Sequence, residues 1–216
     1  MKNKKLSKKA PLRLFLIFGA AVLIIVVLTF IGHALIRTIN AQRERQAASA
    51  GLPDYIDVQL IDVDGHARRG VKLDGPVRDI VIHYVGNPMT SAQNNRDYFN
   101  NEGTTVSSHF VVGLEGEIIM CVPLDEKSSA SNDRNSDTIS IEVCHEDETG
   151  KFNDATYHSL VKLTAWLCDK YNLDTDHIIR HYDITGKICP KYFVEHEDEW
   201  EKFKLEVKSS MTQDNN

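Results

Sequence analysis

The sequence contains no internal repeat and no low-complexity segment, so nothing in it indicates a repeat protein or a separately appended binding module. Formal charge is absent from the 23 residues between Leu14 and Ile36. As a helix, this stretch would extend about 35 Å, which is enough to cross the hydrocarbon core of a bilayer. Residues 14–36 are therefore predicted to form a transmembrane helix.

Positive charge is heavier on the N-terminal side of this apolar run. Its basic flanking residues are Lys2, Lys4, Lys5, Lys8, Lys9 and Arg13 before it, and Arg37, Arg43 and Arg45 after it. Because basic flanks stay in the cytoplasm, residues 1–13 are predicted to be cytoplasmic and the chain beyond the helix to lie outside the cell membrane. The small residues 48–50 allow a competing interpretation as a cleaved signal peptide, although a charged stretch separates them from the run.

The remainder of the chain lacks an excess of basic residues. Nine of the 25 Lys and Arg residues but one of the 31 acidic residues lie in residues 1–45, so residues 46–216 carry 16 basic and 30 acidic residues and a formal charge of −14. Such a domain is repelled by nucleic acid and by other polyanions. A nucleic-acid partner, or any polyanion held by charge alone, is therefore excluded.

Hydropathy patterns divide the rest of the chain into three parts. Residues 37–53 are polar, show no apolar periodicity and are predicted to be a linker. Residues 54–207 have the length and composition of one α/β domain, with 42% hydrophobic and 26% charged residues in the whole chain. Residues 208–216 are predicted to be a disordered tail.

Alternating or continuous apolar runs predict the strands of this domain, and spacing of 3.6 residues predicts its helices. The predicted strands are residues 56–60, 79–85, 109–112, 117–121 and 138–144, with Gly113–Gly116 as a hairpin turn. The predicted helices are Ser91–Asn101, started by a capping box of Thr90 and Gln93, Tyr157–Tyr171, and a short last helix around Trp200–Val207. The strand at 79–85 is nearly all apolar, so it is expected at the centre of the sheet.

Four cysteines in an extracytoplasmic domain first suggest two disulfides, but the surroundings of Cys189 favour another role. It closes the segment HYDITGKICP, which starts at His181 and contains a glycine, so an imidazole and a thiolate can meet on one Zn²⁺ ion. His83, at the end of the apolar strand, is the best third ligand. Three protein ligands leave a position for water, as in catalytic zinc sites. Cys121, Cys144 and Cys168 then form either one disulfide or three buried thiols.

The segments IVIHYVGNP, SSHFVVGLEGEI, DTISIEVCHE and IIRHYDITGKICP, in this order, resemble the type 2 N-acetylmuramoyl-L-alanine amidase family, which includes phage endolysins and peptidoglycan recognition proteins. The resemblance covers about residues 56–195. It implies a central mixed β-sheet flanked by helices, one zinc ion, and hydrolysis of the amide between N-acetylmuramic acid and L-alanine in peptidoglycan.

Carried over position by position, the resemblance assigns zinc ligation to His83, His181 and Cys189 and catalytic roles to Glu142 and Lys187. Glu142 would move the proton of the attacking water, and Lys187 would stabilise the oxyanion. One branch of the family has a tyrosine where this sequence has Ser108, which puts a tyrosine role in doubt.

Several roles stay open at the level of sequence. Ser108 and His109 are candidate substrate-binding residues, and His109 is equally well a packed histidine. Asp183 either orients His181 or caps the loop backbone. The alternatives to an amidase are a membrane-tethered peptidoglycan-binding or sensing protein without activity, and a cysteine hydrolase using Cys189 with His181. The expected partners are peptidoglycan and, through one helix, the membrane; no oligomeric state is predicted.

Overall fold

The computed structural model describes residues 9–63 and 66–213, and the chain divides into two units between Ala47 and Ala48. Most of helix α1 (Lys9–Ser49) makes up the first unit. Among the described residues, one helical segment, Phe15–Ser49, is long and apolar enough to cross a membrane. It contains nearly all of the predicted transmembrane residues 14–36. Of the predicted basic segment 1–13, residues 1–8 lie outside the described residues.

The predicted linker 37–53 is helical for most of its length, because α1 continues to Ser49. The hydropathy pattern predicted a linker here but did not predict its helical structure. Alanine, glutamine, arginine and glutamate, which fill this stretch, are good helix formers even without an apolar face. Helix α1 ends where Gly51 adopts a left-handed conformation (φ 75°) and Pro53 follows.

Six strands form the sheet of the second unit, which confirms the predicted mixed α/β fold. They are β1 (Ile56–Val58), β2 (Asp79–Ile82), β3 (Phe110–Val112), β4 (Ile118–Met120), β5 (Thr138–Val143) and β6 (Ile178–Arg180). Their order is β1-β4-β3-β5-β2-β6. The predicted hairpin, β3 and β4, is the antiparallel pair, and the other neighbours are parallel.

Helices cover both faces of this sheet. They are α2 (Ala92–Phe99), α3 (Asp154–Tyr171), α4 (His181–Thr185), α5 (Lys191–Glu195) and α6 (Glu197–Gln213), with 3-10 turns at Asn132–Ser136 and Thr175–His177. Buried side chains of α3 and α6 pack on one face, and those of α2 pack on the other. Alternation along β5 sends Ile139 and Ile141 to the α3 and α6 face, so Ser140 and Glu142 point to the α2 face.

The cap of α2 lies one residue later than predicted. Ser91 is the N-cap residue in an extended conformation, and its hydroxyl accepts a hydrogen bond from the Asn94 backbone N–H (3.1 Å). The Asn94 side chain accepts in return from the Ser91 backbone N–H (3.1 Å), so the capping box is formed by these two residues. Asparagine supplies the returning oxygen that the sequence pattern assigned to Gln93.

The predicted disordered tail 208–216 is wrong over residues 208–213, because α6 extends to Gln213. The physical reason is packing: Met211 lies four residues after Val207, and both contact the hydrophobic core that Phe203 joins one turn earlier. Residues 214–216 lie outside the described residues.

Candidate metal centre and active site

The sheet register places three chemically active side chains in one row on the α2 face. Strand β2 pairs in parallel with β5 on one side and β6 on the other. One position beyond the pairs made by Ile82, this register aligns His83, Glu142 and His181. The ladder continues there, since the His83 N–H donates to the Ile141 carbonyl (2.8 Å). Strand pairing therefore brings together residues that are almost 100 positions apart in the chain.

Cys189 joins this row because the chain turns back after His181. The short helix α4 ends at Gly186, whose left-handed conformation (φ 76°) reverses the chain. The Tyr182 N–H then donates to the Cys189 carbonyl (2.9 Å) and holds the returning segment. The predicted loop is thus partly helical, and it brings the thiol beside the two imidazoles.

The three predicted ligands form a compact buried cluster. One ligand atom from each of His83, His181 and Cys189 lies within 4.8 Å of the others. The Cys189 Sγ is 3.9 Å from His83 Nδ1, and the two imidazole centroids are 4.7 Å apart. Two imidazoles and a thiol form a donor set suited to Zn²⁺.

Protonation and hydrogen bonding at the cluster fit a bound cation. His181 Nδ1 is buried and has no hydrogen-bond partner among the described residues. Burial lowers the pKa of both histidines, and the neighbouring Lys187 charge lowers them further, so both rings are neutral and each offers a lone pair. A lone pair buried without a donor costs free energy that a metal ion recovers.

The Cys189 thiol is a poor nucleophile as it stands. Burial, and to a smaller extent the charge of Glu142, raises the pKa of this thiol to about 12. Helix α5 begins just after Pro190, yet the pKa of the thiol stays high. These observations disfavour the cysteine hydrolase, because that reaction needs a thiolate without the help of a metal.

Glu142 lies beside His83 in the same row of the sheet as the cluster histidines. Its Oε2 is buried without a hydrogen-bond partner among the described residues. Burial raises its pKa to about 8, while the Lys187 charge opposes that rise. Glu142, Lys187 and the three ligands all line a cleft of about 360 Å³ that continues towards α2. The structure thus brings the predicted catalytic and ligand residues into one site.

Ser108 and His109 do not line this cleft, which corrects the expectation that they bind substrate. Both are fully buried. The Ser108 hydroxyl donates to the Phe110 carbonyl (2.6 Å), and His109 uses both ring nitrogens within the fold. The neighbouring Ser107 lines the cleft instead. Alternation along the strand could not tell which of these residues faces the cleft.

Asp183 caps the backbone and does not contact His181. Its carboxylate accepts from the Arg180 backbone N–H (2.8 Å) and pairs with the Arg180 guanidinium (3.0 Å). Arg180, which the sequence did not single out, also donates to the Phe193 carbonyl (3.0 Å) and pairs with Glu197. It therefore ties β6 and α4 to the helices behind them and supports the ligand segment.

The three cysteines outside the metal cluster do not form a disulfide. Cys121, Cys144 and Cys168 are free and buried, as is Cys189. Each packs in a hydrophobic part of the domain, and burial raises the pKa of Cys144 and Cys168 to about 12. Of the two alternatives, three buried thiols is correct.

Comparison with known proteins identifies the family of this chain. A model of the N-acetylmuramoyl-L-alanine amidase family matches residues 73–192. The chain belongs to this family. The matched amidase segment contains the three cluster residues together with Glu142 and Lys187. The family predicted from the sequence motifs is therefore confirmed.

Individual relatives agree with this assignment. The N-acetylmuramoyl-L-alanine amidases CwlL of Bacillus licheniformis and BlyA of Bacillus subtilis (strain 168) are each 34% identical, over 69% and 70% of this chain. The chain spans about half of their length, 46% in each case. A solved mutant endolysin from Bacillus subtilis is 26% identical, with a TM-score of 0.62 over 70% of this chain and 97% of that chain.

Proposed function

We propose that the chain is a membrane-anchored, zinc-dependent N-acetylmuramoyl-L-alanine amidase that hydrolyses the amide between N-acetylmuramic acid and L-alanine in peptidoglycan. The observation that carries this proposal is the meeting of the His83, His181 and Cys189 cluster with the unpartnered Glu142 carboxylate in one cleft. Membership in the amidase family supports the choice of bond.

The three ligands fit Zn²⁺, which when bound supplies an acidified water and polarises a carbonyl oxygen. Glu142 accepts the proton of the attacking water and returns it to the departing L-alanine nitrogen. Burial raises the pKa of this carboxyl to about 8 in the metal-free protein, which makes it a stronger proton acceptor than an ordinary glutamate. The positive charge of Lys187 lowers the pKa of the same carboxyl and so keeps a share of it ionised to accept the proton.

Lys187 has a second task in this scheme. It lines the cleft, is exposed and forms no salt bridge among the described residues. A cation at the mouth of a partly buried site stabilises negative charge that develops on a tetrahedral oxyanion.

The N-terminal unit supports the proposed location. The Phe15–Ser49 segment can cross a membrane, and the basic residues before it favour a cytoplasmic N-terminus. The amidase domain then stands outside the membrane, where peptidoglycan is found, and uncleaved α1 holds it there.

The test uses the full chain in detergent with purified peptidoglycan. New L-alanine amino termini should appear, stop when a chelator removes the metal, and return when zinc is restored. Binding to peptidoglycan without new amino termini, even with zinc bound, would establish the non-catalytic binding protein instead. Activity that survives the chelator would point to a thiol enzyme.

A further inference from the structure

The outer nitrogens of the two cluster histidines are held by two consecutive residues of a single turn. The hydroxyl of Ser131 lies 3.2 Å from His83 Nε2, and Asn132 Oδ1 lies 2.9 Å from His181 Nε2. Both contacts join segments about 50 positions apart in the chain. Neither Ser131 nor Asn132 lies near the motifs that contain the ligands.

The chemistry of these contacts determines which ring nitrogen is left for a metal. An amide oxygen only accepts hydrogen bonds, so His181 Nε2 carries the hydrogen and donates it to Asn132. The lone pair then lies on His181 Nδ1, which is buried and unpartnered. The Ser131 hydroxyl can donate or accept, so it occupies His83 Nε2 without fixing the tautomer, and it leaves His83 Nδ1 facing Cys189 Sγ.

The turn that presents these two groups is itself tied down. Asn135 Oδ1 accepts from the backbone N–H groups of Ala130 (3.0 Å) and Ser131 (2.7 Å). Asn132 adopts a left-handed conformation (φ 54°), which asparagine tolerates better than most residues. Arg134 pairs with Asp137 on the same turn (2.9 Å). The two contacts to the histidines therefore come from a rigid element.

We infer that Ser131 and Asn132 are positioning residues that orient His83 and His181 and select Nδ1 of each ring as the metal-binding nitrogen. The inference rests on the proposed zinc function. Hydrogen bonds to the outer nitrogen of a metal-binding imidazole fix its tautomer and orientation, and their loss costs about 10-fold to 100-fold in metal affinity. One turn between β4 and β5 thereby sets the affinity of a centre whose ligands lie on other elements.

The chain offers a matched pair of variants for this test. Asn132 and Asn172 are both exposed and both have φ 54°, so Asn132→Gly and Asn172→Gly each remove a side chain without straining the backbone. Asn172 ends α3 and contacts no cluster residue through a described hydrogen bond. Ser136→Ala, which removes a less buried hydroxyl from the same turn, is the control for Ser131→Ala, since among the described residues that hydroxyl donates to the Asp133 carbonyl and not to the cluster.

Zinc dissociation constants are measured for the full chain in detergent by competition with a chromophoric chelator. Asn132→Gly and Ser131→Ala are each expected to weaken zinc binding about 10-fold or more, whereas both control variants keep the wild-type value. Thermal unfolding in chelator should give equal midpoints within each pair, which separates loss of affinity from loss of fold.

Nitrogen chemical shifts of ¹⁵N-labelled histidine provide a second readout. The wild-type chain should show His181 protonated at Nε2 in chelator, and Asn132→Gly should show a mixture of tautomers. Equal zinc affinity and equal tautomers in Asn132→Gly and wild type would overturn the inference while leaving the proposed function intact. Absence of zinc binding by the wild-type chain would instead overturn both.

Discussion

Two buried polar clusters lie two residues apart along β5, and they differ in how completely their atoms are paired. Around Ser140, His109 bonds to the Ser140 hydroxyl (3.1 Å) through one ring nitrogen and to the Glu126 carbonyl (2.9 Å) through the other. Around Glu142, one carboxylate oxygen and His181 Nδ1 have no partner among the described residues.

Both clusters contain neutral, buried histidines, so burial alone does not identify a functional site. Burial lowers the pKa of His109 to about 4, and it lowers the pKa of His181 as well. Native proteins rarely leave buried polar atoms unpaired, and they do so mainly where a ligand or reacting group supplies the missing partner. This contrast supports a structural role for the paired cluster and the proposed catalytic role for the unpaired cluster.

The largest effect on activity is expected when a ligand of the unpaired cluster is removed. Cys189→Ala should reduce bound zinc from about one ion per chain to near zero, because two imidazoles are too few for a stable site. Release of L-alanine amino termini should fall to background. Metal analysis of the purified full chain checks this, with Cys168→Ala, which removes another buried thiol, as the control. Full zinc occupancy in Cys189→Ala would contradict the assigned ligand set.

Glu142→Gln should lower kcat by about 100-fold to 10,000-fold, the usual contribution of a general base, while zinc occupancy stays at the wild-type level. Its physical basis is that glutamine keeps the shape but cannot take a proton. Steady-state kinetics together with metal analysis separates this effect from ligand loss. A variant that retained wild-type turnover would remove Glu142 from the mechanism.

Lys187→Met should lower kcat by about 100-fold, within the range found when one oxyanion-stabilising group is removed. Zinc content and thermal stability should not change, because Lys187 is exposed. Lys208→Met, which removes an exposed lysine from α6, serves as the control and should retain full activity. Equal rates in the two variants would exclude a role for Lys187 in the transition state.

The paired cluster should respond in the opposite way. His109→Ala removes three buried hydrogen bonds and is expected to lower the free energy of unfolding by about 2 to 4 kcal/mol, with kcat of the remaining folded chain unchanged. His181→Ala, measured in chelator, should cost less because one of its ring nitrogens has no partner. Denaturant unfolding of both variants measures these losses in unfolding free energy. A larger loss in His181→Ala than in His109→Ala would contradict the distinction between the paired and unpaired clusters.

The smallest effect is a pH dependence of stability. The pKa of Glu142 in the folded chain, about 8, lies above its ordinary value of 4.5, so the folded state holds the proton more tightly than the unfolded state does. Stability in chelator should therefore fall as pH rises through that window, by up to about 1.4 kcal/mol per pH unit.

The lowered pKa values of the cluster histidines make stability rise with pH at acid pH, which opposes the effect of Glu142. The Glu142 contribution is therefore measured as the difference in unfolding free energy between wild type and Glu142→Gln. That difference should be smallest near pH 4.5 and grow towards pH 8. A difference that stays constant with pH would mean that the Glu142 carboxyl is not desolvated.

Much of the fold could be predicted because its causes are local. The apolar run before His83 predicted a central strand, and β2 is an internal strand between β5 and β6, although it lies next to the edge strand β6 and not at the centre of the sheet. The glycines between β3 and β4 predicted their hairpin. By contrast β6 spans three residues and α4 spans five, too few for any periodicity to appear. The final turns of α6 were missed because contacts of Met211 with the core are invisible in a polar sequence.

The candidate site was predictable to the extent that its residues stand in recognisable motifs. His83, His181, Lys187 and Cys189 occur in two such segments, and Glu142 in a third. Ser131 and Asn132 lie outside these segments, and Arg180 lies inside one without any sign of its role, since serine, asparagine and arginine are common in loops and at helix ends. Their roles depend on contacts with residues distant in the chain.

By itself, the sequence determined the apolar N-terminal helix, the alternation of the strands and the types of side chain able to bind zinc, because each depends on neighbours within a few residues. Only the tertiary structure decided that His83, Glu142 and His181 share one row, that His109 is paired and His181 Nδ1 is not, and that one turn holds both imidazoles. Those features depend on parallel register and on contacts between distant segments, which hydrogen bonding and packing of the whole sheet establish together.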